Sequence, residues 1–135
     1  MKLCKGHIVT FVCWALMCSQ AAMASNSLGE TLQGAMLSNM PAKTLVCFAD
    51  NIEVSILGKS VVCSNVQAVA FLEEFMNNHP IASCKLLHRG KKQTSGFYIL
   101  SVQSDAQKVF RVYALERTEQ GQNLIRQFRI DEVIE

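Results

Sequence analysis

The chain has 135 residues with 13 basic and 11 acidic side chains, and half of it is hydrophobic. That is enough apolar material for one packed core, too much for a disordered chain, and too little length for two domains. The small positive surplus lies in the first few residues, so no basic stripe remains to neutralise a run of phosphates, and nucleic acid is excluded as a partner.

Lys2 and Lys5 precede an eleven-residue apolar run, Ile8 to Cys18, and Ala22-Met23-Ala24 places small residues one and three before a cut at Ser25. This reads as a secretory signal peptide over residues 1–24, leaving a single domain over residues 25–135. The apolar run falls short of the ~20 residues that span a bilayer, so no stable membrane anchor is expected. A lipoprotein cut at Cys18 would want a small residue and a leucine where Met17 and Ala15 stand. The protein is expected to be exported, periplasmic or secreted, with eleven basic and eleven acidic side chains after cleavage. Cys47, Cys63 and Cys84 remain, and their spacing matches no zinc pattern. One bridge among the three is an option, and buried free thiols on apolar faces are the plainer reading.

Ser27-Leu28-Gly29-Glu30 has the form of a capping box, and behind it Leu28, Leu32, Ala35 and Met36 recur at helical spacing. Asn39-Met40-Pro41 breaks that helix, and Pro41 suits the first turn of a shorter one carrying Leu45 and Phe48. From Asn51 the period changes to two, with Ile52, Val54 and Ile56 on one side of a strand. Leu57-Gly58-Lys59-Ser60 reads as a hairpin turn before Val61 and Val62. Ser64-Asn65-Val66-Gln67 is a second capping box, opening an amphipathic helix whose stripe is Ala68, Val69, Leu72, Phe75 and Met76. Four strands then form a meander. Cys84 to His88 ends at Arg89-Gly90, Phe97 to Val102 ends near Ser104-Asp105, Val109 to Arg117 ends at Gln120-Gly121, and Leu124 to Glu132 closes the chain. The order predicts an α+β cone, with N-terminal helices packed on one face of a curved antiparallel sheet.

Phe71-Leu72-Glu73-Glu74-Phe75-Met76-Asn77-Asn78-His79-Pro80, Lys85-Leu86-Leu87-His88-Arg89-Gly90, Phe110-Arg111-Val112-Tyr113 and Leu124-Ile125-Arg126-Gln127-Phe128-Arg129-Ile130 together resemble an exported bacterial family, domain of unknown function number four-seven-eight-three. The resemblance covers nearly the whole mature chain. It implies the nuclear transport factor two-like (cystatin-like) superfamily, whose cone also hosts ketosteroid isomerase, scytalone dehydratase and polyketide cyclases, so fold alone does not give a reaction. Phe48-Ala49-Asp50-Asn51-Ile52-Glu53-Val54 resembles the helix-to-strand junction of the isomerase. Carried along that resemblance, the general base falls on Ile56, the oxyanion-binding tyrosine on Leu32 and the assisting acid on Ala114. None of these can move a proton or hold an oxyanion, and the hollow of the cone is expected to contain no carboxylic acid.

His79 and His88 sit at a helix end and a strand end, and Asp50 sits where a turn begins, all settings that need no chemistry to explain them. No serine stands in a nucleophile elbow and no glycine-rich loop precedes a helix, so no catalytic residue, metal or cofactor is expected. Alternation places Arg111, Tyr113 and Arg117 on one face of the fifth strand, and Gln127, Arg129 and Asp131 share a face of the sixth. The plain reading of this polar patch is cross-strand pairing of arginine with Glu116, Asp131 or Glu132. The functional reading is a site for an anionic ligand or a partner's carboxylate, with Arg111, Tyr113, Gln127 and Arg129 as its binding residues. The expected function is a non-catalytic module for a small ligand or an envelope protein, using the cone mouth or the open sheet face. A homodimer through that face would use apolar surface from Val109, Tyr113, Leu115, Phe128 and Ile130. The alternative is an enzyme of the ketosteroid isomerase, dehydratase or cyclase type with a relocated site built from Tyr98, His88 or Glu53.

Overall fold

The structure is a computed structural model that describes residues 27–134; the expected signal peptide over residues 1–24 and its cut at Ser25 lie outside the described residues. Helix α1 (Leu28–Leu37) starts at Ser27, whose Oγ accepts from the Glu30 backbone N–H at 3.2 Å. It stops at Asn39, which takes a left-handed φ of 53°. The Asn39 side chain then pairs with both backbone groups of Ile81, tying the helix end to the sheet. The next segment is a 3₁₀ helix (Pro41–Cys47) rather than an α-helix. Its tighter turn of about three residues puts Thr44 and Cys47 on the buried side and leaves Leu45 exposed, contrary to the 3.6-residue expectation.

Phe48 therefore opens β1 (Phe48–Ile56), three residues earlier than the alternation suggested. A two-residue turn with Leu57 at φ 51° and Gly58 at φ 87° leads into β2 (Lys59–Ser64). Helix α2 (Asn65–Asn78) carries a complete capping box, with Ser64 Oγ accepting from Gln67 N–H at 3.2 Å and Gln67 Oε1 accepting from Ser64 N–H at 3.1 Å. The meander follows as β3 (Ile81–Lys92), β4 (Ser95–Ser104), β5 (Val109–Glu119) and β6 (Gln122–Glu132). Arg89-Gly90 is not a turn. Strand β3 runs through it to Lys92, paired with β4 residue by residue, and the glycine is there because the ring of Phe97 on β4 lies over Gly90 where any Cβ would collide with it.

The six strands form one curved sheet in the order β2-β1-β6-β5-β4-β3. It is mixed rather than wholly antiparallel: β1 lies parallel to β6, with Val54 opposite Phe128 and Ile56 opposite Ile130. Both helices and the 3₁₀ segment cover one face, α1 against β3 and α2 against β1. Leu32, Met36, Leu72 and Phe75 meet Ile52, Leu100, Val112, Phe128 and Ile130 in a single core. Phe128 and Ile130 thus point inward and offer nothing to the open face.

Cys47, Cys63 and Cys84 are buried and unpaired. Burial pushes all three thiols up, Cys84 to about 11. In the folded chain beginning at Ser25, Ellman's reagent at pH 8 should therefore find almost no reactive thiol, and after unfolding in guanidinium it should find all three. Rapid reaction of two or more in the folded protein would contradict the packing described.

Candidate functional site

A groove of about 460 Å³ opens between the β1–β2 hairpin and α2. Its walls follow from two periodicities. Alternation in the hairpin turns Val54, Ile56 and Val61 toward the helix side, and the 3.6-residue repeat of α2 turns Phe71 and Phe75 toward the hairpin. Lys59 and Ser60 on β2, with Glu74 and Asn78 on α2 and His79 at its C-cap, supply the polar lining. His79 closes α2, its backbone N–H donating to Phe75 O at 2.8 Å. Its imidazole sits 5.0 Å from the Phe75 ring and 4.9 Å from the Phe110 ring, so one edge of the groove is aromatic and fixed. Neither wall alone predicts the groove; it exists because the hairpin and the helix diverge from their shared root at Ser64.

The isomerase-like positions are apolar, and the structure separates them. Ile56 lines the groove, while Leu32 and Ala114 are buried in the core. The hollow nevertheless contains an acid. Glu116 is only 2% exposed and follows Phe110, Val112 and Ala114 on the inward face of β5. The same alternation that turns Arg111 and Arg117 outward turns Glu116 inward, so it cannot pair with those arginines. Tyr98 on β4 donates its O–H to Glu116 Oε1 at 2.8 Å. Glu116 Oε2 has no hydrogen-bond partner among the described residues, and Lys91 Nζ stands 3.8 Å from it. Lys91, Gly96 and Glu116 lie in register across three strands, and the absent side chain of Gly96 lets the lysine reach over.

Helix α1 lies directly on this pair. The Tyr98 ring packs against the backbone at Gly29, so close that a Cβ there would run into it. Arg89 of β3 pairs with Glu30 of α1 at 3.6 Å just outside. Burial, then the hydrogen bond and charge of Glu116, push the Tyr98 phenol up from 10.0 to about 12, while the Gly29 backbone and the Arg89 charge pull the other way. The pair is walled in and does not border the groove.

Tyr98, His88 and Glu53, the three groups of a relocated catalytic site, fall in three places. Tyr98 is inside, while His88 and Glu53 are exposed on the outer sheet face far apart, on the edge strand β3 and on β1 four strands away. Among the described residues, no three His, Cys, Asp or Glu side chains converge as metal ligands would.

The outer face does bring the four polar candidates together. Tyr113 is directly opposite Arg129, Arg111 opposite Asp131, and Leu115 opposite Gln127. The Arg129 guanidinium lies 5.2 Å over the Tyr113 ring, and its Nε donates to Asp131 Oδ2 at 2.6 Å. Gln127 Nε2 donates to Glu53 Oε2 at 3.0 Å. Asp131 thus pairs along β6 with Arg129 and not with Arg111 opposite it, while a cross-strand pair of arginine and acid forms farther along, Arg126 of β6 with Glu119 of β5 at 3.1 Å. Phe97, 45% exposed and in register with Leu115, is an apolar member of this face that alternation alone did not bring out.

The family model described as Domain of unknown function (DUF4783) matches residues 34–131. A crystal structure of a DUF4783 family protein from Bacteroides uniformis ATCC 8492 is 28% identical, spanning 81% of this chain and all of that one, with a TM-score of 0.75. A second, from Bacteroides ovatus ATCC 8483, is 25% identical over 78% of this chain and 94% of its own, with a TM-score of 0.72. An NTF2-like protein of unknown function from Pseudomonas putida KT2440 is 13% identical, covers 80% of this chain and 83% of that one, and shares the fold with a TM-score of 0.63. No curated protein matches the sequence.

Proposed function

This chain belongs to the DUF4783 family and has the nuclear transport factor two-like fold, and from that premise we propose that it is an exported, non-catalytic binding module. Its ligand is a small amphipathic molecule held in the groove between the β1–β2 hairpin and α2. The observation that carries the reading is the groove itself: about 460 Å³ in size, apolar on both walls, with Lys59, Ser60, Glu74, Asn78 and His79 available to orient a polar end. That combination of volume, aliphatic and aromatic walls and a few polar groups is what small-ligand sites share. Export is supported by the positive start, apolar run and small-residue cut of residues 1–24.

Binding is favoured over turnover because the carboxyl–phenol pair of Glu116 and Tyr98 lies under α1 away from the groove, and the groove's own titratable side chains, Lys59, Glu74 and His79, are assigned to orienting the polar end of the ligand. A general acid or base must come within hydrogen-bond reach of the substrate atom it serves. Native mass spectrometry of the protein recovered from the envelope of a producing cell should show one bound small molecule per chain. The Val61→Trp variant, whose indole fills the groove, should lose that molecule while keeping its circular dichroism. Equal adduct on both proteins would place the ligand elsewhere.

A further inference from the structure

The groove is not the only surface built to be covered. Across the outer sheet face, registers align Glu53, Gln127, Leu115 and Phe97 in one row, and Ser55, Arg129, Tyr113 and Ile99 in the next. Phe97, Tyr113 and Leu115 are each more than a third exposed, forming an apolar shelf. A depression of about 320 Å³ opens beside Phe97 and Leu115, edged by Lys91 and Lys92.

Charge on this face is unbalanced. Its three acids are already engaged, Asp131 by Arg129, Glu119 by Arg126 and Glu53 by Gln127. Among the described residues, Arg111, Arg117 and Lys85 have no carboxylate within ion-pair reach, and the Nε of Arg111 is buried with no hydrogen-bond partner. Such a guanidinium is held at a cost, and an acceptor brought from outside relieves it at the terminal nitrogens, the Nε itself being closed to solvent. Arg111 and Arg117 are six residues apart on one strand, about 20 Å at ~3.3 Å per residue, too far for one small anion. A second copy of this chain would bring a face with the same surplus of cationic groups against this one, so charge disfavours self-association through it.

We propose that the outer sheet face docks an extended acidic segment of another protein, its carboxylates meeting Arg111 and Arg117 and its apolar side chains resting on Phe97, Leu115 and Tyr113. Such a segment turns one face to the sheet, and on that face every second residue follows the order acid, apolar, apolar, acid, complementary to Arg111, Tyr113, Leu115 and Arg117 along the strand beneath it. The site is separate from the groove, so occupancy of one does not require the other.

The test is fluorescence anisotropy with a labelled peptide of sequence glutamate-serine-tyrosine-serine-leucine-serine-glutamate, which presents acids and apolar groups on one face, a matched peptide carrying lysine in place of glutamate, and a single-stranded oligothymidylate. The acidic peptide should bind and the lysine peptide should not. Arg111→Ala and Arg117→Ala should each weaken binding on the order of tenfold, and 0.5 M salt should weaken it further. Phe97→Ser should also reduce binding, whereas Val61→Trp in the groove should leave it unchanged. Equal binding of the lysine peptide, indifference to both arginine variants, preference for the oligothymidylate, or a dimer in sedimentation velocity that Phe97→Ser dissolves would each overturn the proposal.

Discussion

Replacing Tyr98 with phenylalanine should lower the free energy of unfolding by about 2–3 kcal/mol, because it strips from a carboxylate buried beneath α1 the hydrogen bond it accepts among the described residues. Lys91 cannot make up the loss: its ammonium group is largely in water and 3.8 Å away, where an ion pair is weak. Glu116→Leu alone should also destabilise, by roughly 1–3 kcal/mol, since it leaves the Tyr98 hydroxyl without its acceptor. The two changes together should cost much less than their sum, because an apolar pair of similar shape has nothing left unsatisfied. Urea denaturation of the two single variants and the double variant measures this directly, and additive losses would mean that Tyr98 and Glu116 do not act as a pair. The pair also sets an alkaline limit. With its folded value raised to about 12, Tyr98 keeps its proton in the folded state while the unfolded chain loses it above 10. Stability from this group is then fully present below pH 10 and falls as pH rises toward 12. Tyr98→Phe should remove that part of the decline.

Phe128→Ala should cost still more, about 3–5 kcal/mol. Phe128 is 1% exposed and stands at the junction where β6 meets β1 in parallel, opposite Val54 on one side and Ala114 on the other. Its ring lies 5.5 Å from Phe48. Neighbours anchored in a six-stranded sheet cannot close over the void, so the loss includes a cavity as well as lost burial. Leu115→Ala, on the neighbouring strand but facing outward, should cost less than about 1 kcal/mol. The same denaturation experiment compares the two, and similar losses would mean that the inner and outer faces of β5 and β6 have been exchanged.

Much of this architecture is legible in the chain because local chemistry decides it. The serine caps at Ser27 and Ser64, the breaks at Asn39 and His79, and the turns at Leu57-Gly58 and Gln120-Gly121 each depend on a few adjacent residues. What the sequence hides is non-local. The parallel pairing of β1 with β6 joins segments some seventy residues apart, and alternation looks the same in either direction. The 3₁₀ period of Pro41–Cys47 turns Thr44 inward and Leu45 outward against the helical reading. Arg89-Gly90 has the composition of a turn, yet the overlying Phe97 ring explains its glycine. Glu116 is the instructive case. Its parity with Phe110, Val112 and Ala114 placed it inside the cone, while its charge suggested an arginine partner outside. Geometry decided, and Tyr98 with Lys91 makes the position tolerable. The groove is legible only once hairpin and helix are seen side by side.

The reading of this protein as a carrier of a small amphipathic molecule is tested most directly by titrating 1-anilinonaphthalene-8-sulfonate into the folded wild type and the Val61→Trp variant side by side. Saturable fluorescence with one dye per chain in the wild type, abolished in the variant at unchanged secondary structure, is the predicted result. Fluorescence that is absent from both, or identical in both, would contradict it.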